Sequence, residues 1–170
     1  KYSYWIFSSS DNRKLFNGLY HDRIVEEIFT ICPEALEFES PFPSGSHYSK
    51  NQIPNRNVVS RSVLFLGSYL FTLFLRKDEI TNENILKMIL SDYQIDFDYR
   101  KVIKIYYGQY RFMKFLLRFS KPKMVFWVYT ASSMGFIRAI KENNIPVIEL
   151  QHGVINEKHQ AYYLPKEFNR

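Results

Sequence analysis

Residues 124–150 constrain the fold more than any other part of the chain. Met124-Val125-Phe126-Trp127-Val128-Tyr129 is an unbroken apolar run of strand length, without the alternation of a half-exposed strand. Thr130 or Ser132 can cap a helix that runs to about Asn143 and carries Met134, Ile137 and Ile140 on one face. Asn143-Asn144 closes that helix, and Ile145-Pro146-Val147-Ile148-Glu149-Leu150 reads as a second strand opening into Gln151-His152-Gly153. Strand, turn, helix, turn, strand is a βαβ unit, so its two strands are parallel and buried on both faces. The class that follows is α/β, with a Rossmann-like, mostly parallel sheet flanked by helices.

The upstream residues fit that class. Tyr2-Ser3-Tyr4-Trp5-Ile6-Phe7 is a β-prone run ending in the polar turn cluster Ser8-Ser9-Ser10-Asp11-Asn12. Between His21 and Cys32, the spacing of Ile24, Val25, Ile28 and Phe29 predicts one helix face, stopped by Pro33. Ala35-Leu36-Glu37-Phe38-Glu39 alternates apolar and acidic positions and suggests a partly exposed strand. Residues 40–57 form a Pro- and Ser-rich connection far longer than the usual ~4–6 residues, which marks a lid or a poorly ordered region.

From Ser62 to Leu75 there is no charge at all. This run falls short of the roughly 20 apolar residues that span a bilayer, and reads as a buried core helix or a membrane-surface contact. Residues 83–91 suggest a short helix. The segment from Asp98 to Phe119 is the longest periodic one. At about 100° per residue, Arg100, Lys104, Arg111, Lys114 and Arg118 fall in a stripe roughly 80° wide. The rest of the circumference is almost wholly apolar, so either the basic stems snorkel out of a core helix or the strip meets anionic headgroups.

Length and composition bound the alternatives. A chain of 170 residues is one ordinary domain or half of a two-domain enzyme. With 46% hydrophobic and 18% aromatic residues it is not disordered or of low complexity, and a single cysteine supports neither a disulfide framework nor a zinc cluster. The chain starts at Lys1 without a methionine, which suggests a segment of a longer protein. Its net charge of +6 is uneven: residues 1–60 hold six basic and seven acidic side chains, and residues 61–170 hold 17 and 10. Arg100 to Lys123 contains eight basic residues and no acidic one, a field that favours phosphates or anionic surfaces. Nucleic acid is disfavoured, because the interleaved aromatics fall on faces the core should claim.

In an open parallel sheet, ligands bind beyond the carboxyl ends of the strands. Three such ends are identifiable. Ser8-Ser9-Ser10 and Thr130-Ala131-Ser132-Ser133 offer hydroxyls and backbone N–H groups that suit an anion or sugar hydroxyls, or that simply cap helices. Ser9, Ser10, Thr130 and Ser132 are therefore candidate binding residues. Neither run matches a Walker loop or a G-x-G-x-x-G fingerprint. At the third end, His152 leaves a buried strand beside Gly153, where backbone can approach closely. A neutral imidazole there can act as general base toward an acceptor hydroxyl or donate to a phosphate. Glu149, Gln151 and His159 lie close in sequence. A metal site from Glu149, His152 and His159 is weakly supported, because the intervening loop imposes no ligand geometry.

The run I-P-V-I-E-L-Q-H-G-V-I, followed by His159, Ala161-Tyr162 and Pro165, resembles the "E-L-Q-H-G-x-x…H-x-x-Y" segment of bacterial surface-polysaccharide glycosyltransferases of GT-B fold, the capsule and O-antigen enzymes. It is more distantly similar to the Q-H-G-like loop of Kdo transferases and CDP-glycerol glycerophosphotransferases. The resemblance covers about residues 123–165. It implies the N-terminal, acceptor-side half of a two-domain transferase, inactive alone, with a nucleotide sugar as donor substrate and no other cofactor. A glycan or polyprenyl-linked molecule would be the acceptor. His152 would face the cleft as the catalytic residue, Gly153 would pass near the donor phosphate, and His159 and Tyr162 would line the acceptor side. The enzyme would be cytoplasmic, with peripheral contact at the inner, anionic membrane face through the basic strip. The competing expectation is a non-catalytic α/β module that binds a sugar or nucleotide through the same loop.

Overall fold

The computed structural model describes residues 2–54, 57–74, 80, 82–151 and 153. In chain order its elements are β1 (Tyr4–Ser9), β2 (Arg13–Phe16), β3 (Leu19–Asp22), α1 (Glu26–Ile31), β4 (Leu36–Ser40) and β5 (Asn57–Ser60). They continue with α2 (Ser62–Leu73), α3 (Glu83–Asp92), α4 (Tyr99–Phe119), β6 (Met124–Val128), α5 (Met134–Glu142) and β7 (Val147–Leu150). Five strands make one parallel sheet in the order β5-β4-β1-β6-β7, and β2 pairs only with β3. The expected α/β, Rossmann-like arrangement is the observed one. Chain direction across the sheet reverses between β1 and β6, the switch point at which such sheets open a crevice.

Side chains of the sheet sort by the strand period of two. On one face Trp5, Phe7, Phe38, Val125 and Trp127 meet Leu64 of α2, Phe112, Met113 and Leu117 of α4, and Phe136, Ala139 and Ile140 of α5. The Phe7 and Trp127 rings stack with centroids 3.6 Å apart, joining β1 to β6 through side chains as well as backbone. The opposite face is smaller. Ile6, Val25, Cys32, Ala35 and Val128 form its apolar part. Its remainder is polar, because Ser8, Glu37 and Glu39 point there and are almost fully buried.

Those carboxylates correct the expectation of a partly exposed strand at 35–39. β4 is an inner strand, and Arg13 from the β2–β3 hairpin covers its acidic side. The hairpin also takes residues that the sequence assigned to a helix from His21. Asn17 and Gly18 both have positive φ (48° and 82°), the pair of values that a tight two-residue hairpin turn requires. Asp22 Oδ1 then accepts from the backbone N–H groups of Ile24 and Val25, at 2.8 and 3.1 Å, and α1 starts only at Glu26.

The long connection after β4 is tied down over residues 41–54. Tyr48 stacks on Tyr20 of the hairpin at 4.0 Å and meets Phe42 edge-on at 5.0 Å. A 3₁₀ turn at Lys50–Gln52 is closed by a capping box from Ser49. These contacts hold residues 41–54 against the hairpin.

α2 departs furthest from a core helix. Its buried positions are Leu64, Gly67, Ser68 and Thr72, whereas Leu66, Tyr69, Leu73 and Phe74 face outward. Small residues let α2 and α4 approach closely: a Cβ on Gly108 would meet Thr72 and lie 2.7 Å from the Ser68 carbonyl oxygen. The basic strip of α4 is solvent-exposed along its length, as expected, but Val102, Ile105, Phe115 and Phe119 are exposed as well. Among the described residues, no helix is long and apolar enough to cross a membrane.

Candidate functional site

The carboxyl edge of the sheet is a row of small hydroxyl side chains. Ser9 ends β1 opposite Ser40 of β4, and Ser60 ends β5 opposite Glu39. On the other side of the switch point, β6 runs out into Tyr129, Thr130 and a 3₁₀ turn at Ala131–Ser133, and β7 runs out into Gln151. Tyr129 has φ +61°. A bulky residue in the left-handed region is strained and persists only where its surroundings impose it, a property that concentrates at functional sites.

Arg61 dominates this edge. It follows β5 directly, initiates α2 and is only 6% exposed. Its guanidinium reaches across the sheet to the switch point, lying 5.0 Å from the Trp127 ring centre, 5.3 Å from Phe65 and 5.9 Å from Phe7. Nη1 donates to Ser40 Oγ at 3.3 Å and Nη2 donates to Ser133 Oγ. Nε is buried with no hydrogen-bond partner. Burial alone pushes the Arg61 pKa down to about 10, and among the described residues no carboxylate offsets its charge. Stacking on aromatic faces returns about 0.5–2 kcal/mol per contact, less than removing a lone cation from water costs. Two helix amino ends, those of α2 and α5, meet at the same guanidinium through Arg61 and Ser133. Each adds partial positive charge. The combination concentrates positive charge at this edge, which an anion would offset.

A second polar cluster lies on the opposite face. Ser8 donates to Glu37 at 2.6 Å and Ser10 donates to Glu39 at 2.8 Å. Arg13 donates to both carboxylates and, at 3.1 Å, to the Tyr20 carbonyl. Burial pulls the Arg13 pKa down, but the two glutamates outweigh it and hold the guanidinium above its ordinary value. His47 joins this cluster to the sheet edge, with Nδ1 3.1 Å from Glu39 Oε1 and Nε2 2.9 Å from Ser60 Oγ. A proton on Nδ1 suits a carboxylate that can only accept, which leaves Nε2 to accept from the Ser60 hydroxyl. The hydroxyl–imidazole–carboxylate series anchors residues 41–54 against β4 and β5.

The residues singled out from sequence do not all come together. Thr130 and Glu149 come together: the Thr130 backbone N–H donates to Glu149 Oε1 at 3.0 Å and clamps the ends of β6 and β7. Gln151 and Gly153 are exposed at the same edge, with Gln151 Nε2 donating to the Gly153 carbonyl at 2.6 Å. Ser132 is exposed, and its carbonyl accepts from Gln109 at 3.0 Å. Ser9 accepts from the Asp11 N–H as a local cap, and Ser10 is fully buried in the Glu39 cluster. His152, His159 and Tyr162 lie outside the described residues. Among the described residues, no group of His, Cys, Asp and Glu has the arrangement of a metal site.

Sequence reasoning missed Arg61 and His47. The available signal for Arg61 was its place between a β-prone V-V-S run and an uncharged helix, and His47 stood inside the connection marked as functional. No protein-family model, curated protein or solved structure matches the chain.

Proposed function

We propose that this chain is the acceptor-side half of a glycosyltransferase of bacterial surface-polysaccharide synthesis, moving a sugar from a nucleotide-sugar donor to a glycan or lipid-linked acceptor. The observation that carries the reading is the buried Arg61 guanidinium at the switch point, whose charge no carboxylate among the described residues offsets. The diphosphate of a sugar nucleotide, or of a lipid-linked acceptor, would supply a negative charge that the described residues do not. Gln151, the first residue of the run that carries the family resemblance, follows β7 at the same edge as the Thr130–Glu149 clamp.

In this reading an acceptor oxygen attacks the anomeric carbon of the donor and forms the new glycosidic bond. The bond from that carbon to the donor phosphate breaks, and the nucleoside diphosphate leaves with the electron pair. The acceptor proton passes to the imidazole of His152 as general base. Arg61 holds phosphate charge without taking part in proton transfer.

The test uses the full-length protein with radiolabelled nucleotide sugars. His152→Ala is expected to abolish transfer and to leave the unfolding midpoint unchanged. Activity within a few-fold of wild type overturns the role of His152. A purely binding module of the same fold would hold the donor at Arg61 yet produce no labelled product with any acceptor, and that result overturns the transferase reading.

A further inference from the structure

We propose that the outward face of the α2–α4 pair docks on an anionic lipid bilayer. This inference does not rest on the transferase reading, since it concerns the helical layer and not the carboxyl edge of the sheet.

α2 is turned inside out relative to a helix of a water-soluble layer. Val63, Leu66, Tyr69, Leu70, Leu73 and Phe74 are between 48% and 79% exposed. At about 100° per residue they share an arc roughly 140° wide. Nothing charged interrupts the helix from Ser62 to Leu73. Scattered apolar side chains are ordinary on a protein surface, but a contiguous band of six large ones is a contact surface.

Charge on both flanks selects the occupant. One groove beside α2, of about 430 Å³, is lined by Phe65, Tyr69, Leu73 and Ile105, with Lys101 and Lys104 among its lining residues. Another, of about 310 Å³, sets Phe71 and Phe115 beside Arg111, Lys114 and Arg118. An apolar ridge with cations on either side matches the bilayer boundary, where acyl chains lie beneath anionic headgroups. A second copy of this face would fit poorly, because a two-fold pairing sets those cations against their own kind. The face is too short to span and is suited to lie in the plane of the interface.

The experiment is co-sedimentation of the full-length protein with vesicles of phosphatidylcholine alone or mixed with phosphatidylglycerol, with no substrate present. The proposal expects binding to the mixed vesicles about tenfold stronger than to neutral ones, falling severalfold as salt is raised. Leu66→Ser with Leu70→Ser removes exposed side chains only, so the circular dichroism spectrum stays unchanged while binding to both vesicle types drops. Lys101→Glu with Lys104→Glu abolishes the preference for phosphatidylglycerol. Absence of binding to either vesicle type overturns the proposal, as does binding indifferent to both variants. So does a vesicle-free dimer that the leucine variant dissociates, which would assign the face to a second copy.

Discussion

The Arg61 guanidinium donates to the Ser133 hydroxyl across 72 positions of sequence and rests on the Trp127 ring 5.0 Å away. One side chain thereby ties the start of α2 to the start of α5 above the switch point. With no carboxylate among the described residues to offset it, this cation is held at an energetic loss that an anion can remove.

Arg61→Met is therefore expected to leave the anion-free protein as stable as wild type or more stable, by up to about 3 kcal/mol. Inorganic phosphate should raise the urea midpoint of the wild type and leave that of the variant unmoved. A variant several kcal/mol less stable than wild type without phosphate would show that the guanidinium is structural.

The same pair of proteins makes a pH prediction. Arg61 has a folded pKa of about 10, below its ordinary value, so between the two the unfolded chain binds more protons. Wild-type stability gains from this group as pH rises through that window. The advantage of Arg61→Met should be full below pH 10 and should shrink above it. Taking the difference between the two proteins cancels the titration of their common tyrosines and lysines.

On the opposite face, Arg13→Met strands Glu37 and Glu39 in the interior. Removing one member of a buried ion cluster costs about 3–5 kcal/mol, readable in the denaturation midpoint. Adding Glu37→Gln and Glu39→Gln should recover part of that loss, because uncharged amides tolerate burial better than lone carboxylates.

Helix spacing gives a third kind of test. A Cβ on Gly135 would meet the Tyr106 carbonyl oxygen and lie 2.8 Å from Gln109 Cβ and 3.0 Å from the Tyr110 nitrogen. Backbone cannot swing aside as a side chain can. Gly135→Ala should destabilise the α4–α5 packing by about 1–3 kcal/mol in thermal unfolding. Gly153→Ala meets nothing within 4 Å and is the control.

The parallel sheet was legible because β1 and β6 are continuous apolar runs. The face expected of α5 was only partly right: Ile140 is buried, but Met134 is exposed and Gly135, Phe136 and Ala139 face the core instead. Three features were harder to read. Asn17-Gly18 is a hairpin signal that the sequence reading passed over in favour of the helical spacing that follows it. Glu37 and Glu39 alternate as a solvent-facing strand does, and the groups that make their burial tolerable, Arg13 with Ser8 and Ser10, lie more than twenty residues earlier. The outward face of α2 could not be told from a core face, since both are apolar and only the position of Gly67, Ser68 and Thr72 against α4 decides which is which. Arg61 was overlooked for a related reason: charge in a sequence is presumed wet, and this one is not.

Arg13 meets its carboxylates 24 and 26 residues further along the chain, and Ser8 and Ser10 meet theirs 29 residues further along. On a translating ribosome, β1 and the β2–β3 hairpin therefore emerge before β4, with these groups still hydrated. They stay unpaired until β4 clears the exit tunnel. Synthesis order thus makes the locking of this face wait on β4, whichever of its partners is made first.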